Sequence, residues 1–294
     1  MPPLLLDGPM GTELQRRGAD TTLPLWSARA LDEHPDLVLQ IHIDYVDAGA
    51  DIITTNTFRT NSRSARSAGL SSDDARRLTV TAVALARQAV DSSNRPLLIA
   101  GSDAPVEDCY SPDRVPTDDE LRREHREHCQ WLVDAGCDFL LLETMNTLRE
   151  ALCAADAARD LEARFIVSLV TDPSGERTLG GQTLQEGVDA LDPFEPMAIL
   201  TNCSSPEAVL RATEILSVLR DERRALWTFG GYANSGAPDP IVGWDLVQEV
   251  PVERFVARAR RMIALGAGVI GSCCGTTPGH TAALRRMVNE AEWT

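Results

Sequence analysis

The residues best placed to do chemistry lie in Gly271-Ser272-Cys273-Cys274-Gly275-Thr276-Thr277-Pro278. Two adjacent cysteines follow an apolar run, Val269-Ile270, and precede a helix-start signal. In an extended strand neighbouring side chains point to opposite faces, so adjacent thiols converge only where the backbone leaves the strand. Gly271 and Gly275 permit that turn, because glycine tolerates positive φ. Thr277-Pro278 reads as N-cap and first helical residue. Both thiols then sit at the mouth of a strand, aimed at one point. That suits a soft metal ion, zinc first.

The elements that must position this pair read as a repeating alternation. Leu4-Leu5-Leu6 runs into Asp7-Gly8, and helical spacing covers Pro35 to Ala48. Strand-like runs follow at Asp51–Thr55, Pro96–Gly101, Phe139–Glu143, Phe165–Val170, Met197–Thr201, Ala225–Phe229 and Gly268–Ile270. Helical patterns separate or follow them at Asp73–Val90, Asp118–Ala135, Leu148–Leu161, Leu184–Ala190, Pro206–Leu219, Val252–Leu265 and Pro278–Glu290. Gly230–Val250, rich in Gly and Pro, is the longest connection. Short apolar strands of this kind fit a parallel sheet covered on both faces. Eight strand–helix pairs without a composition break predict a single α/β domain over residues 1–294, a (β/α)8 (TIM) barrel. No Gly-x-Gly-x-x-Gly follows the first strand, which argues against a dinucleotide fold.

Active sites of such barrels lie at the carboxyl ends of the strands. Those ends hold Asp7, Thr55, Ser102, Glu143, Asn202-Cys203, Tyr232 with Asn234, and Cys273-Cys274. Three of the seven cysteines therefore fall on one rim. The strand bearing Cys203 and the strand bearing the pair are separated by one other, about two spacings of roughly 4.8 Å. Convergence on one ion at zinc–sulfur distances of about 2.3 Å is feasible. Three thiolates leave one tetrahedral position open, and their charge makes the ion a weak Lewis acid for hydrolysis. A substrate thiol would bind there as a nucleophilic thiolate. Alkyl transfer to a substrate sulfur is the expected reaction. Asp7 and Glu143 on that anionic rim call for a cation, such as a substrate ammonium.

The remaining candidates have plainer readings. Cys109, Cys129, Cys137 and Cys153 are expected simply to pack. His125-x-x-His128-Cys129 lies among Arg and Glu and reads as a solvated helix face. His280, in the first turn of the last helix, reads as a surface or cap residue.

Composition narrows the partners. The net charge is −16, and all 28 basic residues are arginine. The acidic balance argues against nucleic acid and against an anionic membrane. The absence of lysine excludes Schiff-base and P-loop chemistry. No apolar run approaches the roughly 20 residues of a membrane span. Met1 to Leu6 lacks the basic start of a signal peptide. An odd cysteine count without that signal points to a reducing, cytoplasmic setting.

Asp7-Gly8-Pro9-Met10-Gly11-Thr12-Glu13-Leu14 resembles the opening motif of the homocysteine S-methyltransferase family. Gly49-Ala50-Asp51-Ile52-Ile53-Thr54-Thr55-Asn56-Thr57-Phe58 is similar to its second-strand motif. Leu142-Glu143-Thr144, Asn202-Cys203 and Cys273-Cys274-Gly275-Thr276-Thr277-Pro278 are similar to the rest, collinear over nearly the whole chain. The group includes betaine–homocysteine methyltransferase and the homocysteine module of cobalamin-dependent methionine synthase. The resemblance implies a zinc-dependent enzyme converting homocysteine to methionine. It implies Cys203, Cys273 and Cys274 as zinc ligands, and Asp7 and Glu143 as partners of the homocysteine ammonium. It implies Gly8 and Thr55 lining the pocket, amides near Gly8 to Gly11 at the carboxylate, and Trp26 facing the donor. Gly231-Tyr232-Ala233-Asn234-Ser235-Gly236 resembles a family loop that usually carries Pro where Ala233 stands, and Asn234 joins the expected substrate contacts. Ser272 replaces a common glycine.

An onium methyl donor is expected, with Trp26, Phe58, Tyr110, Tyr232 and Trp244 as its candidate wall. S-methylmethionine or S-adenosylmethionine fits the Pro24-Leu25-Trp26-Ser27-Ala28 segment and the 294-residue length better than betaine does. The alternatives are methylation of another thiol or a selenol, and a zinc module presenting its thiol to a separate corrinoid protein. A zinc hydrolase is disfavoured by the lack of rim histidines.

Overall fold

A computed structural model of the chain describes residues 2–239, 243–245 and 250–291. Residues 1 and 292–294 of the expected domain, and 240–242 and 246–249 of the Gly230–Val250 connection, lie outside the described residues. Eight parallel strands form the centre: β1 (Leu4–Leu5), β2 (Ile52–Thr54), β3 (Leu98–Asp103), β4 (Phe139–Met145), β5 (Phe165–Val170), β6 (Ala198–Asn202), β7 (Thr228–Ala233) and β8 (Val269–Ser272). From β2 to β8 each strand pairs with its successor, and β8 returns to β1 with Val269 opposite Leu4. A parallel bridge from Leu6 to Ile52 joins β1 to β2 and completes the ring. The expected (β/α)8 barrel is therefore the observed fold.

Alternation along the strands sorts side chains into two layers. Ala100, Leu141, Ile166, Ala198 and Leu200 pack in the barrel interior beneath the three rim cysteines. Leu140, Leu142, Val167, Leu169 and Ile199 pack outward against the helices. With both faces covered, the strands read as continuous apolar runs rather than alternating ones.

Helix Pro35–Ala48 stops at Gly49, in the left-handed region at φ 100°. It and Pro278–Glu290 have the expected bounds, and the other long helices end within a few residues of theirs. Strand β7 differs. The sequence places it at Ala225–Phe229, but it runs from Thr228 to Ala233. Gly230 and Gly231 read as breakers, yet here they allow close strand approach. A Cβ at Gly230 would lie 1.8 Å from the Val269 carbonyl, and one at Gly231 2.5 Å from that of Thr201. The sequence reading also lacks three short helices, Met10–Arg16, Ala30–Glu33 and Ser62–Ser67. Within the long connection, Ala237–Asp239 pairs antiparallel with Gly243–Asp245.

Candidate active site

A cavity of about 330 Å³ opens at the carboxyl ends of the strands. Asp7, Thr55, Glu143 and the three rim cysteines all line it. The Sγ atoms of Cys203, Cys273 and Cys274 lie within 4.8 Å of one another. Tetrahedral ligands at zinc–sulfur distances of about 2.3 Å stand about 3.8 Å apart, so the trio needs little adjustment to hold such an ion. All three thiols are raised well above their ordinary range. Hydrogen bonding within the cluster is the largest cause for Cys203 and Cys274, and burial for Cys273. Packed sulfurs of this kind ionise together only around a cation. The donor set thus fits a thiophilic metal.

Local backbone geometry aims these sulfurs. Cys203 leaves β6 with φ 49°, a left-handed value rare for a residue with a side chain. Its N–H donates to the Tyr232 carbonyl (3.3 Å), and that of Cys273 to the Ala233 carbonyl (2.8 Å). Gly275 turns the chain after the pair at φ 79°. Its N–H donates to Thr12 Oγ1 (3.1 Å).

Two buried carboxylates stand apart from the sulfurs. Asp7 Oδ2 accepts the Thr54 N–H and Oδ1 the Thr54 hydroxyl, both at 2.8 Å. Burial, helped by repulsion from Glu143, pushes its carboxyl up to about 8 despite the Thr54 bonds. Glu143 is turned inward where the β4–β5 register shifts, next to Thr144 at φ 59°. It accepts hydrogen bonds from Ser102 Oγ (2.5 Å) and the Tyr232 hydroxyl (3.2 Å). Burial raises its pKa as well, against those two bonds. Among the described residues, neither carboxylate has an arginine or histidine within ion-pair distance.

The remaining expected positions are held as follows. Thr55 Oγ1 lies 2.7 Å from Thr57 Oγ1 and accepts the Ser102 N–H at 3.0 Å. Gly8 packs under Tyr45, whose ring would be 2.6 Å from a Cβ there. Trp26, at φ 48°, meets Phe58 edge-on with ring centres 5.6 Å apart, and both face the cavity. Tyr110, Tyr232 and Trp244 complete the expected aromatic wall. Trp244 Nε1 donates to the Ser235 carbonyl at 2.9 Å. Asn234 does not line the cavity. It stands behind Tyr110, with Nδ2 3.4 Å from the tyrosine hydroxyl.

Two plain readings need correction. His125 and His128 are not on a solvated face. Both are buried, and their Nδ1 atoms lie 2.7 and 2.8 Å from the two oxygens of Asp103, at the end of β3. Arg122, Arg123 and Arg126 are exposed on the outer side of the same helix, and an i, i+3 histidine pair among them carries no mark of its hidden partner. His280 caps the last helix as expected, from a buried position. Cys129, Cys137 and Cys153 pack as expected, whereas Cys109 lies on the cavity wall. Burial pushes the Cys109 thiol up to about 12. Arg59 also faces the cavity and was not singled out. Its only sequence signal is its place on the loop after β2.

A model of the homocysteine S-methyltransferase family matches residues 4–288. The chain belongs to that family. As a homocysteine S-methyltransferase family member it is a methyltransferase enzyme, and it is similar in sequence to characterised relatives along almost its full length. It is 30% identical to homocysteine S-methyltransferase YbgG of Bacillus subtilis (strain 168), across 94% of this chain and 91% of that one. It is 28% identical to the selenocysteine methyltransferase of Astragalus bisulcatus, across 98% and 93%. The metallated form of the homocysteine methyltransferase MmuM from Escherichia coli superposes with a TM-score of 0.83 at 29% identity, covering 98% of this chain and 96% of that one. No described helix is long and apolar enough to cross a membrane.

Proposed function

We propose that the enzyme moves a methyl group from a sulfonium donor to the sulfur of L-homocysteine, giving methionine, with zinc held by Cys203, Cys273 and Cys274. One juxtaposition carries the reading: three convergent sulfurs share a cavity with two buried carboxylates that have no basic partner among the described residues. The sulfurs suit a thiol-activating metal, and the carboxylates suit an ammonium. An amino acid ending in a thiol satisfies both. Zinc, when bound, supplies the lowered thiol pKa that makes the substrate sulfur a nucleophile near neutral pH.

The chain's own residues do the rest. Asp7 and Glu143 receive the homocysteine ammonium, the first oriented by Thr54, the second by Ser102 and Tyr232. Main-chain amides near Gly8 to Gly11 receive its carboxylate. Thr55 shapes the floor, and Asn234 acts through Tyr110. Trp26, Phe58 and Tyr110 offer π faces to the donor's positive charge. The walls hold the donor methyl in line with the attacking sulfur and exclude water. A neutral sulfide departs, so no general acid is needed. S-methylmethionine and S-adenosylmethionine are the favoured donors, each carrying a sulfonium methyl and an α-carboxylate.

Incubation with homocysteine and S-methylmethionine, followed by detection of methionine, tests the reaction. S-adenosylmethionine in place of S-methylmethionine tests the donor. Methionine that forms only after a corrinoid protein is added would instead make the chain a thiol-presenting component. Zinc content tests the ligands: Cys273→Ala is expected to lose most of the metal bound by wild type, and unchanged content would remove the assignment.

A further inference from the structure

We propose that Arg59 receives the carboxylate of the methyl donor, so that the enzyme selects onium donors bearing a carboxylate over those without one. The inference rests on the methyl-transfer reading above. Two arginines, Arg59 and Arg114, line the cavity. Arg114 is neutralised by Glu107 at 3.1 Å. Arg59 is not: among the described residues no carboxylate lies within ion-pair distance of it. Its guanidinium makes one hydrogen bond, from Nη1 to the Glu107 carbonyl at 2.9 Å. A guanidinium carries five N–H donors in a planar fork that matches a carboxylate. A half-buried arginine with so few partners is a receptor for an anion.

Its position decides which anion. The buried part of the cavity, with Asp7, Glu143 and the cysteine cluster, offers no basic side chain among the described lining residues to receive a second carboxylate. Arg59 lies on the aromatic side, its guanidinium carbon 5.6 Å from the Phe58 ring centre, and Phe58 in turn packs against Trp26. A donor whose onium centre faces the sulfur cluster would turn its other end toward Arg59. The segment 107–110 ties the two ends together: Arg59 donates to the Glu107 carbonyl at 2.9 Å, and the Tyr110 hydroxyl donates to the Cys203 carbonyl at 3.3 Å. Arg59 and the sulfur cluster line one cavity, and a donor with a short chain between its sulfonium and its α-carboxylate, about 5–6 Å at ordinary bond lengths, would present its two ends to the two groups. Asp108, also on the cavity wall, accepts the Tyr110 N–H at 3.0 Å and the Ser111 hydroxyl at 2.7 Å. It keeps acceptor capacity for the donor's ammonium. The loop carrying Arg59 is held in place, with Asn56 Nδ2 donating to the Ser27 carbonyl at 3.0 Å and Thr57 Oγ1 to that of Ser102 at 2.7 Å.

The test compares zinc-loaded wild type with Arg59→Ala and Arg59→Lys, using S-methylmethionine, S-adenosylmethionine and glycine betaine against trimethylsulfonium, which lacks a carboxylate. Arg59→Ala should raise KM for whichever carboxylate donor wild type uses by about 10- to 100-fold, the worth of a charge-assisted pair. KM for homocysteine and kcat/KM with trimethylsulfonium should stay within about threefold. Arg59→Lys should recover part of the loss, since it keeps charge but not the fork. Equal loss with both donor types, or no change with either, overturns the assignment to Arg59 while leaving methyl transfer standing. A wild type that makes no methionine from any of the four donors overturns the methyl-transfer reading, and this one with it.

Discussion

Cys203 and Cys273 leave strands that are not neighbours, yet both hang from the strand between them. The Cys203 N–H donates to the Tyr232 carbonyl and the Cys273 N–H to the Ala233 carbonyl, adjacent residues of β7. Two residues of one strand end thus set the separation of two sulfurs far apart in sequence. Anything that displaces the ends of β7 or β8 should be felt at the metal.

Gly275 offers the sharpest test of that coupling. It lies at φ 79°, and a Cβ there would sit 1.5 Å from the Ser235 carbonyl oxygen. Gly275→Ala must both strain the left-handed turn and push the Ser235 segment away. It should cost about 3 kcal/mol of stability by urea denaturation. The displaced Cys274 should also lower zinc affinity at least tenfold, read by competition with a chelator.

Asp7 gives a pH dependence of defined sign. Its carboxyl sits at about 8 in the folded protein against an ordinary 3.8. Between those values the folded state keeps a proton that the unfolded chain has lost. Its contribution to the stability of the ligand-free protein therefore falls as pH rises from about 4 to about 8, at up to about 1.4 kcal/mol per unit, and is level above. Homocysteine affinity has the opposite slope, because its ammonium needs the ionised carboxylate. Asp7→Asn should flatten the stability slope in this window. Calorimetry in buffers of different protonation enthalpy should show less proton release on homocysteine binding to the variant below pH 8.

The Asp103 network should prove structural. Burial alone would raise the Asp103 carboxyl, but His125 and His128 hold it well below its ordinary value. Burial alone would lower His125, but Asp103 and Glu150 bring it up to about 10. Asp103→Asn leaves a buried imidazolium without its main partner and should cost about 3–5 kcal/mol. The raised His125 value contributes stability in full below its unfolded pKa of 6.5, and that stability is lost as pH rises through about 10. The gap between wild type and variant in denaturant midpoint should therefore narrow between pH 7 and pH 10.

Gly11 joins the donor wall to the acceptor site. A Cβ at Gly11 would lie 2.3 Å from the Trp26 ring. Gly11→Ala should displace the indole and raise the donor KM about tenfold, and the homocysteine KM should rise as well, because the amides near Gly8 to Gly11 hold its carboxylate. Parallel initial-rate measurements for the two substrates check this.

Much of the site was legible because its residues carry distinctive local chemistry. An adjacent cysteine pair flanked by glycines needs no partner to announce a turn, and Asp7, Glu143 and Cys203 each end an apolar run. The Asp103 network was not legible. His125 and His128 face inward only because a carboxylate from β3 lies beneath their helix, and an aspartate closing a strand looks the same with or without imidazoles above it. Arg59 was missed for a related reason. An arginine on a loop stands out only once the fold brings it to the cavity wall beside Arg114 and shows that Glu107 pairs with Arg114 alone of the two.

Local pattern by itself determined the order and kind of the elements, because strand and helix periodicities are short-range properties of the chain. It also determined which residues stand at strand ends. Tertiary structure alone decided which strand ends meet, which carboxylates lack a cation and which arginine of the cavity wall is left over. Those are balances between groups from distant segments, and they exist only after the barrel has closed through Leu6 and Ile52.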